Sequence, residues 1–173
     1  MRVGVAGHQR LADPTAWPWV EEVVSRELDA TTGPLVVVTS LAIGADQLVA
    51  RLGAARGAIV HAVLPFARIE RTFAAENLPA YRQLVSQASV EVLETSGPDE
   101  DAYLAAGRRV VELSDVMIAV WDGKPAKGKG GTADIVGYAV EFGVPVVHIN
   151  PIERVITRLQ PVRSKSTQTG PKL

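Results

Sequence analysis

The sequence contains no cysteine, which excludes disulfide bridges, thiolate catalysis and zinc–thiolate sites together. Aromatic side chains make up only 5% of the 173 residues, so the core must be filled by Val, Leu, Ile and Ala, the usual contents of a buried parallel sheet. Neither sign of charge dominates: 18 basic and 19 acidic residues leave a formal net charge of -1. That balance offers polyanions no global attraction, and it argues against nucleic acid and an anionic membrane surface as partners. No apolar run approaches the roughly 20 residues needed to span a bilayer, and the chain enters a strand pattern at once, without a signal-peptide pattern. A cytoplasmic protein with no membrane partner is expected. The three histidines, His8, His61 and His148, lie far apart and show no HExxH-like spacing, so neither a metal nor a cofactor is called for.

What is present is an alternation of apolar β-rich runs with amphipathic stretches. The runs are Arg2–Gly7, Leu35–Thr39, Ala58–Leu64, Ser89–Glu94, Asp115–Trp121 and Pro145–Ile149. Between them, apolar residues recur at helical spacing, as in Trp17, Val20, Val23, Val24 and Leu28 after the Asp13–Pro14 start signal. A helical stretch from about Arg68 to Gln87 is interrupted near Asn77–Leu78–Pro79, because a residue before proline resists the helical region. Strands alternating with helices imply right-handed crossovers. The expected fold is therefore α/β: a Rossmann-like three-layer α/β/α sandwich with a mainly parallel sheet of five to six strands. It should occupy residues 1–150. Residues 151–173 read as an extension, with one short element at 152–159 and a polar, mildly basic tail from Val162.

In such a sheet, ligands bind beyond the carboxyl ends of the strands, where strand order reverses. Three loops at such ends carry suitable residues. After the first strand come Gly7, His8, Gln9 and Arg10: a glycine that permits close backbone approach, and donors able to meet phosphate or carboxylate. After the second come Thr39, Ser40 and Gly44 ahead of a helix, with free amides suited to an anion. Asp46 there serves as cap, loop brace or acceptor from sugar hydroxyls. The third loop, Trp121 to Asp134, holds four glycines and three lysines between a buried strand and a helix. Its amides at Gly130, Gly131 and Thr132, the helix dipole and Lys129 suit a phosphate. It is not a Walker A loop, since Lys129 is followed by Gly130–Gly131, and Gly4 and Gly7 leave the dinucleotide fingerprint incomplete. Asp122 and Asp134 are the candidate catalytic carboxylates, able to hold ribose hydroxyls or act as base and nucleophile at an anomeric carbon. Glu70 and Tyr103 are weaker candidates.

GHQR, SLAIGAD, SDVMIAVWDG and KGGTADIVGYA together resemble the SLOG superfamily, Rossmann-like domains related to the lonely-guy phosphoribohydrolases and to bacterial DNA-processing proteins. The segment AVWDG…GGTADIVGYA is also similar to the nucleoside 2-deoxyribosyltransferases. The resemblance covers residues 1–149. It implies a nucleotide or nucleotide-derived ligand, with phosphate or ribose against Gly130, Gly131 and Thr132, and Gly7, Arg10, Ser40 and Gly44 on the other wall. It also implies a homodimer through helices beside the cleft, for which Trp17 and Trp19 are candidates; local packing is the alternative. The chain reads GKGGTADIV where the lonely-guy enzymes carry PGGxGTxxE, and the nucleophilic glutamate of the transferases has counterparts by type only, in Glu70, Glu76 and Glu112. A binding module, a sensor or carrier, needs only the three loops and is preferred. The alternative is an enzyme cleaving or exchanging an N-glycosidic bond, with Asp122 or Asp134 at the anomeric carbon and His8 or Tyr103 assisting the departing base.

Overall fold

The computed structural model describes residues 1–95, 97–126 and 128–162; the tail beyond 162 lies outside the described residues. The elements alternate as the apolar pattern requires. They are β1 (Arg2–Gly7), α1 (Trp17–Asp29), β2 (Val36–Thr39), α2 (Ala45–Ala54), β3 (Ile59–Leu64), α3 (Leu78–Gln87), β4 (Ser89–Val92), α4 (Glu100–Glu112), β5 (Val116–Val120), α5 (Thr132–Phe142), β6 (Val146–Asn150) and β7 (Val155–Leu159). The interrupted helical stretch resolves into two short 3-10 turns, Ile69–Thr72 and Ala75–Asn77, followed by α3. Pro79 falls in the first turn of α3, where its missing N–H has no intrahelical partner to lose.

The sheet has seven strands in the order β4-β3-β2-β1-β5-β6-β7, one more than the upper expectation. The first six are parallel, and β7 returns antiparallel to β6 with Val146 opposite Leu159 and Asn150 opposite Val155. This last strand lies within the short element expected at 152–159, whose type the sequence leaves open because Val155 and Ile156 stay about half exposed, giving no alternation to detect. The central strands are buried on both faces, as Val3, Val37, Val38, Ile118 and Ala119 illustrate. Right-handed crossovers place α1 and α2 against one face, where Val20, Val23, Val24 and Val49 pack on Val5 and Ile118. On the other face, Ala106, Val110, Ile135 and Ala139 of α4 and α5 pack on Val38 and Met117. Trp17 and Trp19 lie partly buried against the first of these layers.

The order reverses between β1 and β5: connections step outward from β1 through β2, β3 and β4, then jump back to the other side of β1. Carboxyl-end loops on either side of that seam diverge, which leaves a crevice between them. At the opposite end, Arg2 and Asp115 tie the two strands through the Arg2 amide, 2.7 Å from Asp115 Oδ2.

Candidate functional site

A cleft of about 850 Å³ opens at this reversal point. Its floor is Gly7, whose missing side chain is required: a Cβ there would stand 2.5 Å from the Ala45 Cβ and 2.9 Å from the Val120 carbonyl oxygen. His8 and Arg10 continue the wall after β1, and Ser40 and Asp46 stand after β2. Asp122 lines the wall after β5, with Lys129, Gly130, Gly131 and Thr132 at the start of α5. Three separate loops thus converge. Gly44 and Asp134 do not line the cleft.

His8 and Asp122 meet across the seam although 114 residues separate them in sequence. The Asp122 amide lies 3.3 Å from His8 Nε2, and the same nitrogen is 3.1 Å from Asp122 Oδ1. A neutral imidazole accepts the amide proton at Nε2, whereas a protonated one donates to the carboxylate. Either form ties the β1 loop to the β5 loop, and the His8 amide adds a bond to the Val120 carbonyl at 2.9 Å. Burial pushes the Asp122 carboxyl upward, but the Lys124 amide and the His8 and Lys124 charges outweigh it and hold it below the ordinary carboxylate range. Asp122 therefore faces the cleft as an anion.

Asp46 behaves differently. It is buried at the head of α2, and its Oδ2 accepts from Thr39 Oγ1 at 2.9 Å, from Ser40 Oγ at 2.8 Å and from the Ser40 amide at 3.1 Å. Desolvation pushes its carboxyl up to about 6 despite these bonds. Of the roles open to it, the geometry shows the loop brace. It holds a loop in which Leu41, fully buried, adopts a positive φ of 55°. Gly44 makes the same loop possible from below. Its φ is +87°, and a Cβ there would lie 2.5 Å from the carbonyl oxygens of both His8 and Gln9. The Ala45 amide donates to His8 O at 3.2 Å, so the loop after β2 is seated on the backbone after β1.

The amides opening α5 are partly engaged. Gly130 N–H donates to Asp134 Oδ2 at 2.9 Å, Lys129 N–H to Glu100 Oε2 at 3.2 Å, and Gly131 N–H to Gly128 O at 3.4 Å. Asp134 is thus a helix-start acid that reaches back over the first turn. Thr132 is the first helical residue, and the cap position is Gly131, with no side-chain cap bond. Among the described residues, the Thr132 and Ala133 amides have no protein acceptor, and both residues line the cleft. Arg10, exposed at the mouth, likewise has no acidic partner there. Lys129 pairs with Asp101, and Lys124 Nζ is 3.8 Å from Asp122 Oδ2.

Sequence reasoning missed several contributors. Glu100 and Asn150 buttress the loops from outside: Asn150, nearly buried, accepts from the Ile152 and Glu153 amides and directs its Nδ2 toward Asp122 O. Trp121 fixes the start of the glycine-rich loop, its indole N–H donating to Lys124 O at 2.8 Å. The Glu100–Lys129 and Asn150–Asp122 pairings span 29 and 28 residues and leave no local pattern. Tyr103 does reach the cleft, beside Ile69, Phe73 and Gly107. Glu70, Glu76 and Glu112 are not among its lining residues. No cluster of three or more His, Asp and Glu among the described residues has metal-binding geometry.

No family model and no curated protein matches the sequence. Solved structures do. DNA processing protein A from Helicobacter pylori, reported for its single-stranded DNA binding mode, superimposes with a TM-score of 0.61 at 18% identity over 86% of this chain and 64% of that one. DNA processing protein A from Streptococcus pneumoniae matches with a TM-score of 0.60 at 21% identity, over 85% of this chain and 49% of that one. The protein TM1055 gives 0.53 at 18% identity, with 84% and 71% covered. The Rossmann-like fold is shared with these structures. The chain spans only about half to two thirds of the two DNA-processing proteins, 49% and 64%.

One expectation is corrected by these matches. A net charge near zero had argued against a nucleic-acid partner, yet the same Rossmann-like fold occurs in a protein described by how it binds single-stranded DNA. Net charge sums the whole surface, whereas a strand in a cleft meets only the local charges, here Arg10, Lys124 and Lys129 together with the carboxylates of Asp46 and Asp122. Separately, no helix among the described residues is long and apolar enough to cross a membrane.

Proposed function

We infer that this domain binds a nucleotide or nucleotide-derived ligand in the cleft at the β1/β5 seam, as a sensor or carrier. One observation carries this reading: Thr132 and Ala133, whose amides have no acceptor among the described residues, and Arg10, with no acidic partner among them, line the same hollow. Amides at a helix start favour an anion, and a guanidinium grips phosphate through paired donors. Asp122, kept ionised and turned to the cleft, suits ribose hydroxyls as an acceptor. The wall of Ile43, Ile69, Phe73 and Tyr103 supplies the apolar surface that a base requires.

Calorimetric titration with nucleoside monophosphates tests the reading. Saturable binding that weakens several-fold in Arg10→Ala is expected, and absence of binding by every monophosphate and by the dinucleotides described below overturns it. Chromatography of the same mixtures detects the alternative chemistry. Free base that forms with the wild type and not with Asp122→Asn would make the site an N-glycosidic hydrolase or transferase.

A second reading takes the ligand to be a segment of single-stranded DNA. The structural match to a DNA-processing protein and the three cations lining the cleft favour it. It predicts an oligonucleotide affinity that falls steeply with salt, with a slope set by the number of phosphates neutralised.

A further inference from the structure

We propose that the cleft takes a two-base ligand, a dinucleotide bridged through phosphate, with one base at each end and the bridge at the seam. This rests on the nucleotide reading above and names its substrate class. The cleft is lined by residues following β3, β2, β1, β5 and β6, which are consecutive neighbours in the sheet. Four inter-strand spacings of about 4.8 Å make it roughly 19 Å long. A nucleoside monophosphate fills roughly half of that length, and a volume of about 850 Å³ lies near the top of the range for small-molecule sites.

The lining is not uniform along this length. Beyond β3 it is apolar and aromatic: Ile69, Phe73 and Tyr103, the last held edge-on by Phe66 with ring centroids 5.9 Å apart. Toward β6 it is apolar again, with Pro151 and Ile152 after that strand and Trp121, which follows β5 and lies against His148 of β6. Trp121 is fixed by its bond to Lys124 O and by the His148 ring, 5.0 Å away. Ile152 remains 49% exposed, an apolar side chain left at the rim without a protein cover. Between the two ends sit the polar groups: His8, Arg10, Asp122 and the Thr132 and Ala133 amides. A lining that is apolar, then rich in anion-binding donors, then apolar again complements base, phosphate and base, with Asp122 left to the ribose hydroxyls. A single nucleotide would leave one apolar end open to water.

The bridge is either a 5′–5′ pyrophosphate or a 3′–5′ phosphodiester, so both sources enter the test. The full chain is titrated with AMP, with diadenosine diphosphate and with the dinucleotide d(ApA), and the titrations are repeated with Tyr103→Ala and Ile152→Asp. Both positions are substantially exposed, and unchanged melting confirms that the variants fold. At least one dinucleotide is expected to bind about tenfold tighter than AMP, consistent with one additional stacked base. Each variant should lower that affinity about tenfold, whereas AMP should respond to only one of them. Preference for the pyrophosphate assigns a free metabolite, and preference for d(ApA) assigns a DNA strand; both support the two-base site. AMP binding as tightly as both dinucleotides overturns the proposal and leaves the nucleotide reading standing. No binding by any of the three overturns both.

Discussion

The loops that follow β2 and β5 look alike in sequence, each a glycine and small-residue stretch running from a buried strand into a helix, yet the fold uses them in opposite ways. The loop after β2 is closed on itself. Its carboxylate, Asp46, spends its lone pairs on Thr39 and Ser40, and Gly44 lies flat against the His8 and Gln9 carbonyls. The loop after β5 is open. It is seated from outside by Glu100 and Asp134, and it leaves the Thr132 and Ala133 amides facing a hollow. One loop is architecture that shapes a wall, and the other presents donors to whatever fills the cleft. Residue type alone does not separate these uses; the position of the partner acceptor does.

Five substitutions at four positions sharpen the contrast, beginning with the largest effect. Gly44→Val forces a β-branched side chain into a left-handed backbone and against two carbonyl oxygens, and should cost about 4 kcal/mol or prevent folding. Urea denaturation measures it, and a loss below about 1 kcal/mol would show the loop to be pliable. Asp46→Ala strands the Thr39 and Ser40 donors in a buried site and should cost about 3 kcal/mol.

The same carboxyl has a pH signature. Its folded value is raised from 3.8 to about 6, so the neutral form is the better tolerated one in the native state. Its contribution is therefore fully present below pH 3.8 and is lost as pH rises toward 6 and beyond. The groups facing it are the neutral hydroxyls and amides of Thr39, Ser40 and Ala42. Asp122 and Glu91, held low, work in the opposite direction and lose stability in acid. The informative quantity is thus the difference between wild type and Asp46→Asn, which should shrink steadily across that window. A flat difference would show that Asp46 does not titrate there.

The open loop should yield smaller numbers. Asp134→Ala removes the bond to the Gly130 amide and a favourable helix-start charge, for roughly 1 kcal/mol of stability. Arg10→Ala should change stability by less than about 0.5 kcal/mol, since the side chain is exposed, while weakening a phosphate ligand about fivefold to tenfold. A destabilisation equal to that of Asp46→Ala would erase the distinction between the two loops.

Much of this architecture was legible before any coordinates. Six strands announce themselves because both faces of a parallel sheet are covered, so runs such as VVVT and VMIAV are continuously apolar. The seventh falls inside the short element read at 152–159, but its type stays open because an edge strand half open to solvent needs no apolar period. The three loop ends were equally readable, since glycine and hydroxyl residues directly after a buried strand mark the rim of such a sheet. What sequence withholds is the bookkeeping of acceptors. That Gly44 packs on His8 O depends on two loops more than thirty residues apart, and that Asp134 takes the Gly130 amide depends on how its own loop turns. The contact between His8 and Asp122 goes further and joins opposite halves of the chain.

The central place of β1 governs the order in which the protein comes into being. Made before either partner, this strand finds one neighbour in β2 after some thirty residues but must await the other, β5, until residue 120 has been made. Pairings of such long range are slow to form, and an unsatisfied strand edge is exposed to wrong partners meanwhile. The hollow at the seam is consequently absent from the nascent chain until its second half arrives, and a cognate small molecule held there would stabilise only the finished fold.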